Sequence, residues 1–273
     1  MPRTLGVCSW SLHPESPKDL TVQLKSCGLD SIQLHIDPLR TGKWPEAECV
    51  KLFKETGIKI ISGMMGTRGE DYTTLETIKN TGGVRLDQYW DENLASAKGN
   101  AALAARLGIP LVTFHAGFIP HDHKDPIHAV MISRLQQMAD AFAEKGVKVA
   151  FETGQENADT LLVALKDINR KTVGVNFDPA NMILYGMGDP VDALKKLAPH
   201  VMQIHVKDAN PAKVPGQWGE EKKAGAGAVD WPAFFNVLNE KCPNVPLVIE
   251  REAGPTRVND VIEARELVKN LAK

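Results

Sequence analysis

The chain is 273 residues long and carries 32 Lys and Arg against 34 Asp and Glu, a net charge of −2. This length suits one large α/β barrel or two ordinary domains, and the near balance of charge, without a long block of either sign, argues against a basic stripe for nucleic acid. The four cysteines Cys8, Cys27, Cys49 and Cys242 are scattered without a C-x-x-C unit, no apolar run approaches membrane-span length, and MPRTLGVCSWSLHPES holds no signal-peptide core, so a cytoplasmic protein with reduced thiols and no membrane or nucleic-acid partner is expected.

Eight short apolar, β-branched runs follow one another along the chain. They are LGVCSW at 5–10, DSIQLHI at 30–36, IKIISGMM at 58–65, LVTFH at 111–115, VKVAFE at 147–152, TVGVNFD at 172–178, HVMQIHV at 200–206 and PLVIE at 246–250. Helices are predicted from near Ser16-Pro17 and then over 44–56, 87–107, 129–145, 157–168, 189–197, 231–240 and 256–271. Pro at helix starts and Gly57, Gly108 and Gly146 at helix ends set the boundaries, because Pro has no N–H to lose in the first turn and Gly enters the left-handed region without strain. Alternating strands and helices argue for parallel βαβ units, and eight of them favour a closed (β/α)8 TIM barrel. The first strand is followed by no G-x-G-x-x-G, and no Pro, Gly or Ser-rich linker divides the chain. Residues 1–273 read as a single barrel domain.

Glu152, Asp178, His205 and Glu250 each stand at the C-terminal end of an apolar run. In a parallel barrel those ends share one rim, where chemistry concentrates. Three hard oxygen donors and one imidazole nitrogen suit a single divalent ion, Mn2+ first, with Mg2+, Co2+ or Zn2+ as alternatives. Taken singly, the carboxylates also read as rim salt-bridge partners and Asp178 as a turn cap, whereas four such residues on strands five to eight favour a metal site.

Further residues are candidates for substrate contact. His115 ends the fourth strand and reads as a ligand for a substrate hydroxyl or as a partner of Glu152. Lys207 and Asp208 suit an anionic oxygen or a hydroxyl, and equally a rim salt bridge; Arg251, beside Glu250, has the same two readings. Trp10, with Trp44, Phe118 and Trp218, offers an aromatic face to a sugar. The H-D-H unit at 121–123 and the glycine-rich KKAGAGAVD at 222–230 read as a hydrated loop and a close-packed turn rather than as metal and phosphate sites.

FHAG at 114–117, FETG at 151–154, NFDPAN at 176–181, HVKD at 205–208, GAGAVDWPAFF at 225–235 and IEREAG at 249–254 together make the whole chain resemble the xylose isomerase-like TIM-barrel superfamily, in particular its sugar phosphate isomerase/epimerase and ketose 3-epimerase group. The resemblance implies that Glu152, Asp178, His205 and Glu250 hold one metal ion and that Glu152 and Glu250 also act as catalytic acid and base. It implies a small-molecule sugar or polyol substrate. Two positions depart from the 3-epimerase pattern: Asn181 stands where that group has a histidine, and Pro211 where it has a substrate-binding arginine. The expected activity is therefore isomerisation or epimerisation of a ketose or related keto-sugar by proton transfer. Its alternatives are a keto-sugar or keto-inositol dehydratase or lyase, an endonuclease, and a non-catalytic sugar-binding barrel. A homo-oligomer is compatible with the sequence, which carries no unique interface pattern.

Overall fold

A computed structural model describes residues 3–271. Its strands are β1 (Leu5–Cys8), β2 (Ser31–His35), β3 (Lys59–Met64), β4 (Leu111–Phe114), β5 (Lys148–Glu152), β6 (Val173–Phe177), β7 (Val201–Val206), β8 (Asp208–Asn210), β9 (Glu220–Lys222) and β10 (Leu247–Ile249). Parallel pairing runs from β1 through β7, passes to β10 and returns to β1, closing an eight-stranded barrel. β8 and β9 form a separate antiparallel pair in the loop between β7 and the following helix. The helices are α1 (Pro17–Ser26), α2 (Asp37–Arg40), α3 (Glu46–Thr56), α4 (Leu75–Thr81), α5 (Asp87–Leu107), α6 (Pro126–Ala143), α7 (Ala158–Ile168), α8 (Pro179–Leu184), α9 (Pro190–Leu197), α10 (Trp231–Lys241) and α11 (Arg257–Leu271).

The expected (β/α)8 architecture is present, with additions in the loops. The first strand stops at Cys8, and the next four residues coil into a short 3-10 turn, Ser9–Leu12. The Ser9 hydroxyl accepts from the His35 N–H and the Ser11 hydroxyl from the Arg251 N–H, both at 2.9 Å, so this turn stitches β1 to β2 and to the end of β10. Helices α2, α4 and α8 were not expected. Two of them begin at Asp-Pro, and α4 begins with Thr74 and Thr77 in a reciprocal capping box; in α4 and α8 the caps supply partners for first-turn N–H groups even in helices of one or two turns.

The apolar core lies between the outer face of the barrel and the helices, where Phe177 meets Phe234 of α10 at 5.8 Å between rings. The barrel interior is partly polar. Gln33, Ser62, Thr113, Asn176, Gln203 and His205 are all completely buried. Ser62 Oγ donates to Gln203 Oε1 at 2.6 Å, Gln203 Nε2 to Asn176 Oδ1 at 3.1 Å and Gln33 Nε2 to Thr113 Oγ1 at 2.7 Å. Burying these groups is tolerable because they pair with one another. The interior is thereby a fixed hydrogen-bonded floor beneath the strand ends.

Candidate metal centre

Four strands deliver the site. Glu152 ends β5, Asp178 follows β6 and caps α8 by accepting from Asn181 N–H at 2.9 Å, His205 lies in β7, and Glu250 follows β10. One ligand atom from each of the four lies within 4.8 Å of the others, and all four residues are buried.

The imidazole is poised by the floor beneath it. His205 Nε2 is 2.7 Å from Gln33 Oε1, whose amide is oriented by its donation to Thr113, and 3.0 Å from Asn176 Nδ2; in the ring form that turns an Nδ1 lone pair to the carboxylates, the Gln33 oxygen is the acceptor for the proton on Nε2. This leaves Nδ1 facing Glu250 Oε2 at 3.3 Å, Asp178 Oδ2 at 3.5 Å and Glu152 Oε1 at 3.6 Å. Nδ1 and Asp178 Oδ2 are both fully enclosed and without a hydrogen-bond partner. Orphaned acceptors among three carboxylates are costly, and a divalent cation at their centre removes the cost. The donor set therefore fits such an ion. Without one, the site takes up protons: burial lowers the basicity of His205, and the carboxylates of Glu250 and Glu152 raise it by more. Burial likewise pushes Asp178 up to about 6, against the pull of Lys207. A cation bound there would compete with protons for the same atoms, which would couple its uptake to proton release.

Lys207, Trp10, Asn181 and His115, read as candidate substrate contacts, stand beside the cluster. Lys207 Nζ, 2 % exposed, donates to Glu250 Oε2 at 2.9 Å and to Glu252, and stands 3.9 Å from Asp178 Oδ2. Trp10 Nε1 donates to Glu250 Oε1 at 2.7 Å. Burial would raise the Glu250 carboxyl, but Lys207 and His205 hold it well below the usual range. Asn181 Nδ2 donates to Glu152 Oε1 at 2.8 Å, and Asn176 Nδ2 reaches Glu152 Oε2 at 3.3 Å. His115 Nε2 lies 3.9 Å from Glu152 Oε1, with Nδ1 unpartnered.

Asp208 and Arg251 are engaged by other protein groups, and for Arg251 the contacts are those of its salt-bridge reading. Asp208 accepts from the N–H groups of Ala209, Gly225, Gly227 and Val229 and from Trp231 Nε1, all within 3.1 Å. It organises the glycine-rich loop from inside and occupies the amide nest that a phosphate would need; a Cβ at Gly227 would stand 2.2 Å from Asp208 Oδ1. The Arg251 guanidinium is spent on Glu221 and Asp260. Gln33, Asn176 and Thr113 are the supporting residues missed in the sequence. Replacing Gln33 with Leu frees the His205 ring and its tautomer, so divalent-ion affinity should fall about 10- to 100-fold by calorimetric titration; unchanged affinity would remove Gln33 from the site.

The model of the family described as xylose isomerase-like TIM barrel matches residues 22–271. The chain belongs to this family. A crystal structure of a xylose isomerase domain protein from Planctomyces limnophilus is 33 % identical, with a TM-score of 0.85 over 92 % of this chain and 90 % of that one. An inosose dehydratase of Clostridium botulinum is 25 % identical over 162 residues, covering 52 % of this chain and 54 % of the enzyme. In general the chain spans about half the length of the curated relatives it matches. The D-allulose 3-epimerase of Methylomonas sp. is 15 % identical, with a TM-score of 0.74 over 98 % of this chain and 97 % of that one, a likeness of fold alone. No helix among the described residues is long and apolar enough to cross a membrane.

Proposed function

We propose that this chain is a divalent-metal-dependent isomerase or epimerase acting on a ketose or related keto-sugar or polyol. The observation that carries the reading is the pair of orphaned acceptors, His205 Nδ1 and Asp178 Oδ2, enclosed with two further carboxylates. Glu152, Asp178, His205 and Glu250 would hold the ion, for which Mn2+ suits the mixed oxygen and nitrogen donors. When bound, it supplies a Lewis acid for a substrate carbonyl. Glu152 and Glu250 then have complementary work at the carbon beside that carbonyl: one carboxylate takes a proton and the other returns it. Return to the opposite face of the same carbon inverts it, while return to the adjacent carbon exchanges aldose and ketose. Asn181 and Trp10, each donating to one of these glutamates, hold their orientation.

A second reading is favoured by Lys207. Its buried ammonium beside Glu250 offers a proton to a departing hydroxyl, which turns proton removal into dehydration, the activity named for the inosose dehydratase relative. Incubating the Mn2+-loaded protein with ketoses and keto-inositols in D2O separates the two. Isomerisation or epimerisation gives deuterium at carbon in an isomer of the substrate; dehydration gives a product lighter by one water. Absence of both across the panel overturns the proposal.

A further inference from the structure

A second constellation of metal-binding side chains lies away from the strand-end cluster. His123 in the loop after β4, His128 in the first turn of α6 and Asp167 in the last turn of α7 bring one ligand atom each within 4.8 Å of the others. His123 Nδ1 is 3.4 Å and His128 Nε2 3.1 Å from the same Asp167 Oδ2. The two imidazoles stack at 4.4 Å between ring centres. Ligand atoms bound at about 2.0–2.2 Å around a tetrahedral ion stand roughly 3.3–3.5 Å apart, close to these separations.

His128 supplies the second observation. It is 6 % exposed, and its Nδ1 lies 2.9 Å from the carbonyl oxygen of Pro120. That oxygen can only accept, so Nδ1 carries the proton. In the imidazolium, Nε2–H donates to Asp167 Oδ2; in the neutral ring the Nε2 lone pair faces that oxygen at 3.1 Å, and a cation between them takes the place of the proton. The H-D-H unit at 121–123, read in the sequence as a hydrated loop, thus contributes one of its histidines to a site completed from two helices.

We propose that His123 Nδ1, His128 Nε2 and an Asp167 carboxylate oxygen bind a divalent transition-metal ion, with Zn2+ as the fitting species and solvent as the fourth ligand. Two imidazoles and one carboxylate favour Zn2+ over Mg2+ or Ca2+, whose sites are built from oxygen. The ion ties the loop after β4 to α7. Phe118, Pro120 and His121 of that loop line a cavity of about 770 Å³ together with Gln155 and Tyr185, so the tie sets the shape of one wall of that cavity.

The test is the zinc content of the metal-free full-length chain after saturation with Zn2+ and desalting, compared with His123→Ala and Asp167→Asn. Both substitutions fall on partly exposed side chains, 53 % and 31 %, and each variant is to be matched to wild type in metal-free melting temperature. Each variant should bind one equivalent fewer than wild type, and the spectrum of Co2+-loaded wild type minus that of each Co2+-loaded variant should show four-coordinate absorption bands. The readout is a difference of one equivalent, so it stands whether or not the strand-end cluster also takes zinc. Wild-type zinc content in either variant overturns the site and leaves an ordinary His128–Asp167 hydrogen bond.

Discussion

Glu152→Gln and Glu250→Gln should each depress kcat on the keto-sugar substrate by about 10²- to 10⁴-fold, the usual contribution of a positioned acid or base. The substitution is chosen because the amide keeps the size of the side chain and one oxygen able to ligate, while losing the capacity to accept and return a proton. Glu152 accepts from two amide donors and Glu250 from Trp10 and Lys207, so each variant keeps one donor for its amide oxygen and turns its N–H2 toward the other, and its fold is to be checked by circular dichroism and thermal melt. Turnover is to be measured at saturating Mn2+, with metal content determined on the same samples, so that lost chemistry is separated from lost ion. Wild-type turnover in both variants sinks the two-carboxylate mechanism. A large fall in only one of them points to a one-base reaction, in which the same group removes and redelivers the proton.

The sequence carried the outline of this site because strand periodicity and strand ends are local properties. Apolar runs bounded by Gly and Pro gave the eight barrel strands, and parallel pairing then obliges the residues that end them to share a rim. The floor of the site was in view but not read. Gln33 in DSIQLHI, Asn176 in VGVNFD and Gln203 in VMQIHV interrupt apolar runs at buried positions, and period-2 alternation places Asn176 on the same face as Asp178 and Gln203 on the same face as His205. An uncharged polar residue inside an apolar strand needs a buried partner, and that requirement was the available signal. Asp208 and Arg251 kept two readings open for a different reason. They follow strand ends, where the side chain's direction depends on the loop's path, and the donors that capture Asp208 come from as far along the chain as the Val229 N–H and the Trp231 indole. The second constellation at Asp167 was out of reach for the same cause, since it depends on the packing of α6 against α7.

Lys207→Met is the substitution expected to weigh most on the fold itself. Burial alone would lower the basicity of the Lys207 ammonium, yet Glu250, Glu252 and Asp178 raise it well above the usual lysine value, so it remains charged inside the barrel. In the metal-free protein it and His205 are the cationic side chains in direct contact with Glu250. Removing one partner of a buried pair costs about 3–5 kcal/mol, because the remaining charge stays buried without compensation. In a chain of this length, this corresponds to a fall in melting temperature of roughly 6–20 °C. Saturating Mn2+ should recover most of that loss, since a divalent ion among Glu152, Asp178 and Glu250 restores the missing positive charge. Thermal melts of wild type and variant, each with Mn2+ and with EDTA, therefore read the electrostatic coupling between Lys207 and the metal centre. Equal losses in both conditions would mean that Lys207 acts through packing and that the cluster does not hold the ion. The same variant divides the two proposed reactions: its Mn2+-loaded form should keep isomerisation or epimerisation measurable if the glutamates alone move protons, and lose dehydration if the ammonium is the acid that releases the hydroxyl.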